Sequence, residues 1–448
     1  MSIFKAYDIR GVVPDELDAE AAWRIGRGAA RFLAARGARR VALGRDARPH
    51  TPELADALSR GIRDEGVSVV ELGLAATPMV YHAVDHLGLD GGVMVTASHN
   101  PARYNGFKIC REHAIPIGGD SGLAEIERLA GERAQAPLAA GRGGLEHADV
   151  RGSYVTQVLS VGGRCPQMRV AIDCGNGMAA VGLEPVLDRL PLQVERLYFE
   201  PDGTFPNHEA NPLEEENLRD LVAAVRRTGA GLGVAFDGDA DRAMFVDERG
   251  TPVRADLVTA LLAQVLLRDH PGATVLYDLR SSRATAEAIR EAGGRPTMCR
   301  VGHSFIKADM RAKDAIFAGE LSGHFYFRFT PTLVADDGIA AFVALLDLLA
   351  SSGRPLSELV APLQRYAASG EINRRVRDPA ALLDAIAREH GGATEVSRLD
   401  GLLVRYPDWW FNVRPSNTEP VLRLNLEAAD VAAMERHRDA LLARIEVG

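Results

Sequence analysis

The pattern of apolar and polar residues predicts one structural unit three times along the chain. Apolar strands begin at Val41, Val170 and Thr274, and each is followed by a stretch with apolar residues at three- and four-residue intervals, then by a second strand. A strand, a helix and a strand in succession indicate parallel pairing through a right-handed crossover. The sequence therefore predicts repeated α/β domains.

Each unit reaches a third apolar strand that ends in a polar segment. The three endings are VMVTASHNP, GVAFDGDADR and AIFAGELSGH. Ligands bind beyond the carboxyl ends of the strands in open α/β sheets. We therefore expect the three polar segments to face one cleft.

The C-terminal part of the chain has a different pattern. LLVRY, DWWFNVR and VLRLNLE are typical of antiparallel strands, VAAMERHRDALLARI is typical of an amphipathic helix, and YAASGEINRR is a predicted linker before them. The predicted fold is α/β, with three similar mixed or parallel-sheet domains and a smaller C-terminal α+β domain around a central cleft. The expected domains are residues 1–147, 148–250, 251–367 and 368–448.

Composition and charge exclude several classes of protein. The 448 residues include 52 basic and 61 acidic side chains, and a formal net charge of −9 argues against a nucleic-acid partner. The four cysteines form no CxxC pair, so neither a disulfide framework nor a zinc ribbon is predicted. No signal peptide is recognised, and LVTALLAQVLL is interpreted as an amphipathic helix because no apolar run approaches a membrane span. We expect a cytoplasmic protein without a membrane partner, as a monomer or a weak dimer.

Three alternating aspartates in DGDADR, Asp237, Asp239 and Asp241, indicate a cation site. In a strand or tight loop their carboxylates would point one way. Unit charges about 4 Å apart then repel by roughly 4 kcal/mol at an effective dielectric near 20, and a bound cation relieves this repulsion. Oxygen ligands favour Mg²⁺ or Ca²⁺ over zinc. The alternatives are a solvated acidic turn and an EF-hand, although an EF-hand requires a glycine where Arg242 stands.

The pair Ser98–His99 in TASHNP suggests a hydrolase nucleophile. The nucleophile elbow, however, requires glycines at the positions of Thr96 and Asn100. A polar loop that caps a helix would use the same residue types, since Ser and Asn are good N-caps and Pro fits a first turn. The local sequence alone leaves the role of Ser98 open.

A dinucleotide-binding site is an alternative from another class of protein. Gly175, Gly177 and Ala180 in GNGMAA match G-x-G-x-x-A after a predicted strand. An NAD-dependent dehydrogenase would account for the βαβ repeats but not for the three aspartates. Short glycine patterns also arise from close packing of a strand and a helix.

A phosphate-binding segment is predicted near the C-terminus, in RPSNTEPVLR. Guanidinium, hydroxyl and amide donors in one loop suit a phosphate dianion. A capped turn with surface arginines is the alternative. No Walker A motif is present, so we do not expect the phosphate to belong to a nucleotide. The donors are Arg414, Ser416, Asn417, Thr418 and Arg423.

With these four segments, the chain resembles the α-D-phosphohexomutases, in their phosphomannomutase/phosphoglucomutase branch, over nearly its whole length. TASHNP is similar to the family's phosphoserine loop, DGDADR to its magnesium loop, GELSGH to its sugar-recognition loop and RPSNTEP to its phosphate-binding loop, in the family's order. The resemblance implies a Mg²⁺ ion held by Ser98 and the three aspartates. It also implies glucose or mannose 1,6-bisphosphate as activator and intermediate.

The resemblance further implies reversible conversion of a hexose 6-phosphate to the 1-phosphate. Ser98 would donate its phosphoryl group to the hexose phosphate. The resulting bisphosphate would then turn end for end and return its other phosphoryl group to Ser98. Arg10 and Lys108 would surround the phosphoserine and are candidates for the proton shuttle. His303, across the cleft, is a further candidate for the shuttle. The alternative for His303 is a structural role in the loop that contains it. The remaining expected catalytic residue is His99, which would orient the loop. The expected substrate contacts are Tyr7, Arg242, Arg280, Glu320, Ser322, His324, Arg414, Ser416, Asn417, Thr418 and Arg423.

Within this resemblance, Glu320 and Ser322 would bind two ring hydroxyls, and Arg280 would stabilise charge without donating a proton. Phosphoglucosamine mutase is the nearest rival, but that branch usually has Gln where Leu321 stands and a different N-terminal motif from KAYDIRG. Both differences favour a neutral hexose, with glucose and mannose left open. A phosphatase that hydrolyses the phosphoserine is a further alternative.

Overall fold

The computed structural model of the chain describes residues 3–133, 139, 141–415 and 421–447. Within these residues the strands form four sheets that follow one another along the chain. The first three sheets are mixed and carry the repeated unit, and the fourth is antiparallel. The predicted fold of three similar α/β domains and a C-terminal α+β domain is therefore confirmed.

The first domain contains β1 (Ile9–Val12), α1 (Ala19–Ala34), β2 (Arg40–Arg45), α2 (Thr51–Asp64), β3 (Ser68–Leu74), α3 (Thr77–His86), β4 (Gly91–Val95), β5 (Tyr104–Arg111), β6 (Ile115–Pro116), α4 (Leu123–Arg133) and β7 (Leu145–His147). Its strand order is β1-β5-β4-β2-β3-β7, with β6 beside β5. Strand β2 is parallel to β3 and β4, and β5 is antiparallel to β4.

The second domain contains α5 (Arg151–Leu159), β8 (Met168–Asp173), α6 (Ala179–Leu187), β9 (Leu192–Leu197), α7 (Arg219–Thr228), β10 (Leu232–Phe236), β11 (Ala243–Val246) and β12 (Pro252–Val253). The third contains α8 (Ala255–Asp269), β13 (Thr274–Asp278), α9 (Arg283–Glu291), β14 (Arg295–Cys299), α10 (His303–Ala312), β15 (Ala315–Gly319), β16 (Phe325–Arg328), β17 (Val334–Asp336), α11 (Gly338–Ser352) and α12 (Leu356–Val360). Their strand orders are β9-β8-β10-β11-β12 and β14-β13-β15-β16-β17.

The three domains share one arrangement of strands. The first strand of each unit lies between the second and third in parallel, and an antiparallel strand follows the third. The polar segments with Ser98, the three aspartates and Glu320 are the turns before these antiparallel strands, β5, β11 and β16. Each turn leaves the sheet at the carboxyl end of its third strand, as the sequence predicts.

The fourth domain contains β18 (Ala367–Ala368), β19 (Ile372–Arg374), α13 (Pro379–Glu389), β20 (Glu395–Ser397), β21 (Leu402–Arg405), β22 (Trp409–Pro415), β23 (Leu422–Ala428) and α14 (Val431–Val447). The strand order is β18-β23-β22-β21-β20, with β19 also beside β23. The segment YAASGEINRR, predicted as a linker, supplies β18 and β19 to this sheet. Glu371 therefore lies between two short strands at the start of the domain.

Helix α8 contains LVTALLAQVLL and differs from the sequence interpretation. Most of its residues are buried, and it packs against α9, α11 and β15. It is a core helix and not an amphipathic surface helix, because α9, α11 and β15 together cover most of its surface. All four cysteines are free thiols.

None of the helices in the described ranges is by itself long and apolar enough to cross a membrane. The pair Gly338–Ser352 and Leu356–Leu363 meets that criterion by length and composition only when taken together, across an 89° bend.

Candidate active site

The Ser98 hydroxyl lies against the aspartate turn of the second domain. Its Oγ donates a hydrogen bond of 2.8 Å to Asp237 Oδ2 and accepts one of 3.0 Å from Arg242 Nη2. The side chain is only 3% exposed, and its backbone is left-handed, with φ 52°. The aspartate turn approaches so closely that a Cβ on Gly238 would lie 2.3 Å from the Ser98 carbonyl oxygen. Two segments 139 residues apart thus form one centre.

Arg48, which the sequence analysis missed, holds the backbone of the Ser98 loop. Its Nη2 donates to the carbonyl oxygens of Ser98 (2.8 Å) and Asn100 (2.6 Å), and its Nη1 to those of Pro101 and Tyr104 (2.8 and 2.9 Å). The residue is 1% exposed, and Asp46 fixes its Nε at 3.1 Å. The signal in the sequence is its place in GRDARP, just after β2 ends.

The three aspartates form a turn, and their geometry suits a cation. Oxygens of Asp237, Asp239 and Asp241 lie within 4.8 Å of one another, and all three side chains are buried. Asp239 Oδ1 accepts no hydrogen bond from any residue that the structure describes, whereas Asp241 Oδ1 lies 3.3 Å from His324 Nε2. A buried carboxylate oxygen without a donor is a candidate ligand for an ion. The preceding element is strand β10, which is inconsistent with the helix of an EF-hand.

Lys108 contacts two of the three aspartates. Its Nζ lies 2.6 Å from Asp239 Oδ2 and 2.5 Å from Asp241 Oδ2, so β5 places a cation of the first domain against the second. Burial would lower the pKa of Lys108, but the two carboxylates outweigh it and raise that pKa. Burial raises the pKa of Asp237, with Arg242 opposing. The cluster is thus a densely charged centre from which water is largely excluded.

Arg10 and His99 flank the Ser98 loop. Arg10 donates 2.9 Å to Asp8 Oδ2 and 2.8 Å to Asn100 Oδ1, which places its guanidinium beside the loop. His99 Nδ1 lies 3.2 Å from Ser98 Oγ and contacts Arg242 Nη2. Burial, with further repulsion from Arg242 and Arg10, lowers the pKa of His99 well below its usual range, so the ring is neutral.

The turn between β15 and β16 brings Glu320, Ser322 and His324 together. Tyr326 donates 2.8 Å to Glu320 Oε2, and Ser322 Oγ lies 2.9 Å from His324 Nδ1. His324 Nε2 lies 3.3 Å from Asp241 Oδ1, which joins this turn to the aspartates. Burial opposes protonation of His324, but the carboxylates on both sides raise its pKa to about 9.

His303 begins α10 and lies in the interior beside Tyr7. Their ring centroids are 5.7 Å apart, and Tyr7 donates a 3.5 Å hydrogen bond to Val301 O. Both ring nitrogens of His303 are buried without a hydrogen-bond partner among the described residues. Burial, reinforced by Lys307 and Lys108, lowers its pKa to about 3, so the imidazole is neutral. The structure thus gives His303 no hydrogen bond that would explain a structural role in its loop.

The arginines of the C-terminal domain meet Arg280 of the third. Arg414 and Arg423 are register partners on β22 and β23, and Glu371 lies between them and Arg280. Arg280 also donates 2.8 Å to Asp278 Oδ2. Three other residues predicted for this segment lie outside the described residues: Ser416, Asn417 and Thr418.

The glycines of GNGMAA have a packing role. A Cβ on Gly177 would lie 2.8 Å from the carbonyl oxygen of Gly238, and Met178 N donates 2.9 Å to that same oxygen. The backbone amide of Met178, which precedes α6, therefore donates to the aspartate turn and is not available to a ligand. A dinucleotide site requires these amides and glycines to face a pyrophosphate. The dehydrogenase alternative is therefore not supported.

Models of four consecutive domains of one enzyme family match the chain in order. They are described as phosphoglucomutase/phosphomannomutase alpha/beta/alpha domain I (residues 1–136), domain II (153–250), domain III (254–366) and the C-terminal domain (371–444).

Individual relatives match over the full length. A phosphomannomutase of Salmonella montevideo is 41% identical, covering 99% of this chain and 98% of the relative. A phosphoglucomutase of Neisseria meningitidis is 40% identical, covering 99% and 96%. The crystal structure of a phosphoglucomutase/phosphomannomutase family protein from Burkholderia thailandensis has a TM-score of 0.91 at 35% identity, covering 99% of this chain and 97% of that one. The chain therefore belongs to the phosphoglucomutase/phosphomannomutase family and is an enzyme of the phosphohexomutase class, which confirms the resemblance found in the sequence.

Proposed function

We propose that the protein interconverts the 6-phosphate and 1-phosphate of glucose or mannose through phosphorylated Ser98 and a hexose 1,6-bisphosphate. The observation that carries the proposal is the Ser98 hydroxyl, 2.8 Å from a buried aspartate of an oxygen-rich turn. A hydroxyl beside a cation site suits a phosphoryl carrier, because phosphoryl transfer depends mostly on positioning and charge stabilisation.

The aspartate turn and the Ser98 oxygen would hold Mg²⁺. The three clustered carboxylates, with Asp239 Oδ1 free of hydrogen bonds from the described residues, fit a hard cation. When bound, Mg²⁺ supplies Lewis-acid stabilisation of the phosphoryl oxygens. Arg10 and Lys108 add positive charge from the first domain.

We assign the orientation of the sugar to the third domain and the grip on its second phosphate to the fourth. The Glu320 carboxylate and the Ser322 hydroxyl can each bond one ring hydroxyl, with His324 beside them and Tyr7 across the cleft. Arg414 and Arg423 would form the phosphate cradle, with Ser416, Asn417 and Thr418, which lie outside the described residues, as its further expected donors. A cradle distant from Ser98 holds the phosphate that is not reacting, which is necessary in both orientations of the bisphosphate.

The neutral His303 imidazole is our candidate proton acceptor. Its two unpartnered nitrogens leave it available for a substrate hydroxyl. Arg280 and Arg242 remain charged and act through electrostatic stabilisation.

Replacement of the phosphoryl carrier tests the proposal. Ser98→Ala should lower turnover of both hexose phosphates by at least about 10³-fold, because no oxygen remains to carry the phosphoryl group. A coupled assay measures isomer formation, a second assay measures free phosphate, and mass analysis of the Ser98 peptide measures its phosphorylation.

The exposed Ser160→Ala, at the residue that follows α5, is the control and should keep normal turnover. Normal turnover in Ser98→Ala would refute the proposal. Release of free phosphate in place of the isomer would identify a phosphatase.

A further inference from the structure

A carboxylate lies inside the arginine cluster that we assign to the substrate's phosphate. Glu371 Oε1 accepts a hydrogen bond of 3.0 Å from Arg423 Nη1. Its Oε2 lies 3.5 Å from both Arg414 Nη2 and Arg280 Nη1, and accepts 3.3 Å from Asn425 Nδ2. One carboxylate thus contacts three guanidinium groups that come from two domains.

The Glu371 carboxylate is charged in this environment. Burial would raise its pKa, but Arg280, Arg414 and Arg423 outweigh burial and lower it. Its side chain is 24% exposed, so part of it faces solvent and not packed protein. Arg280 and Arg414 are only 7% and 4% exposed, so these cations are held in place.

We propose that Glu371 is an internal ligand of the arginine cluster and that a phosphate dianion binds by displacing it. The proposal rests on the proposed function only for the identity of the natural ligand. A carboxylate offers one negative charge and two oxygens, whereas a phosphate dianion offers two charges and three oxygens to the same donors. Glu371 thereby makes the arginine cluster selective for doubly charged groups, because singly charged anions do not compete with it effectively.

The same exchange connects the third and fourth domains. Arg280 remains bonded to Asp278 at 2.8 Å and lies 3.4 Å from Glu320 of the sugar turn. Release of Glu371 removes its ion pair with Arg280, while Arg414 and Arg423 turn to the phosphate. Binding of a phosphate in the fourth domain therefore changes the contacts of Arg280, which also contacts Glu320, the carboxylate that we assign to the sugar.

The test is the affinity of Glu371→Gln for inorganic phosphate, measured by calorimetry on the full chain. Glutamine keeps the size of the side chain and removes its charge, so the competing anion is lost. We expect the dissociation constant for phosphate to fall about tenfold, as loss of one nearby like charge predicts in a partly exposed site. The KM for hexose 6-phosphate should fall with it.

Glu395→Gln is the matched control. Glu395 forms an exposed ion pair with Arg405 at 3.4 Å on β20, the strand at the edge of the same sheet that is farthest from β23, and its removal changes the net charge equally. It should leave phosphate affinity unchanged. Should Glu371→Gln fail to fold, judged by circular dichroism, Glu371→Ala provides the same comparison.

Unchanged or weaker phosphate binding in the Glu371 variant, with the control unaffected, would overturn the proposal, because Glu371 would then be absent from the exchange or would preorganise the arginines. The mutase assay of the wild-type protein tests the proposed function, and it does so independently of the phosphate affinity of the Glu371 variant. Normal isomerisation without the gain in affinity refutes the exchange alone. The gain in affinity without isomerisation refutes the proposed function alone.

Discussion

At the scale of single residues, the serine loop depends on a side chain that has no part in its sequence motif. Ser98 has a left-handed backbone, which costs a residue with a Cβ roughly 1–2 kcal/mol. Arg48 offsets this cost with hydrogen bonds to four carbonyl oxygens around it. TASHNP predicts a special serine, but only the folded chain reveals the arginine that holds it.

Replacement of Arg48 by lysine should lower kcat about 10²-fold with little change in KM, since a displacement of about 1 Å at a reacting atom has that effect. Lysine keeps the charge but has no planar fork that could reach four oxygens. Steady-state kinetics and the phosphorylated fraction of Ser98 check this expectation. The exposed Arg60→Lys on α2 should behave as wild type, and an unaltered kcat in Arg48→Lys would show that the loop holds its own shape.

At the scale of elements, one sequence pattern is compatible with two different structural roles. The glycines of GNGMAA satisfy a dinucleotide fingerprint, yet in the structure they allow close packing against Gly238. The pattern alone could not separate these uses, because both require a missing Cβ at a strand-to-helix turn. Similarly, the apolar residues of α8 predicted a helix, while its burial on almost every side results from packing against α9, α11 and β15.

The end of strand β8 gives a pH-dependent contribution to stability. His208 Nε2 lies 3.1 Å from Asp173 Oδ2; burial lowers the pKa of His208, but Asp173 outweighs this and raises it overall. The folded protein then binds the proton more tightly than the unfolded chain. The contribution is complete below the unfolded pKa near 6.5 and is lost as pH rises through the higher folded value.

We therefore expect His208→Asn to lower the free energy of unfolding at pH 5.5 and to have a smaller effect at pH 9. Denaturant unfolding of both proteins across this range measures the difference. The exposed His270→Asn is the control. A His208→Asn effect that is constant with pH would exclude the charged pair as its cause.

At the scale of the whole molecule, turns from different domains form the site. Ser98, the aspartates and Glu320 come from three sheets of one design, so their turns leave equivalent sheet edges. Contacts such as His324 with Asp241 and Lys108 with Asp239 join these domains. The charges are shared between domains, and no single domain holds a complete site.

Removal of divalent metal should abolish activity and leave the fold nearly intact. Lys108 and Arg242 contact the aspartates directly and neutralise part of their charge. We expect chelation to stop isomerisation, Mg²⁺ to restore it, and the thermal unfolding midpoint to fall by only a few degrees. Full activity after exhaustive chelation would contradict the metal assignment, and global unfolding would contradict the role given to Lys108 and Arg242.

Local periodicity and residue type were enough to predict the repeated α/β units, the antiparallel tail and the positions of Ser98, the three aspartates and Glu320 at strand ends. The folded chain was needed to show that Arg48 holds the serine loop, that Lys108 contacts two aspartates and that Glu371 lies among three arginines. These contacts join residues far apart in the chain. Their energies depend on burial and on charge at a few ångströms, which no local pattern encodes.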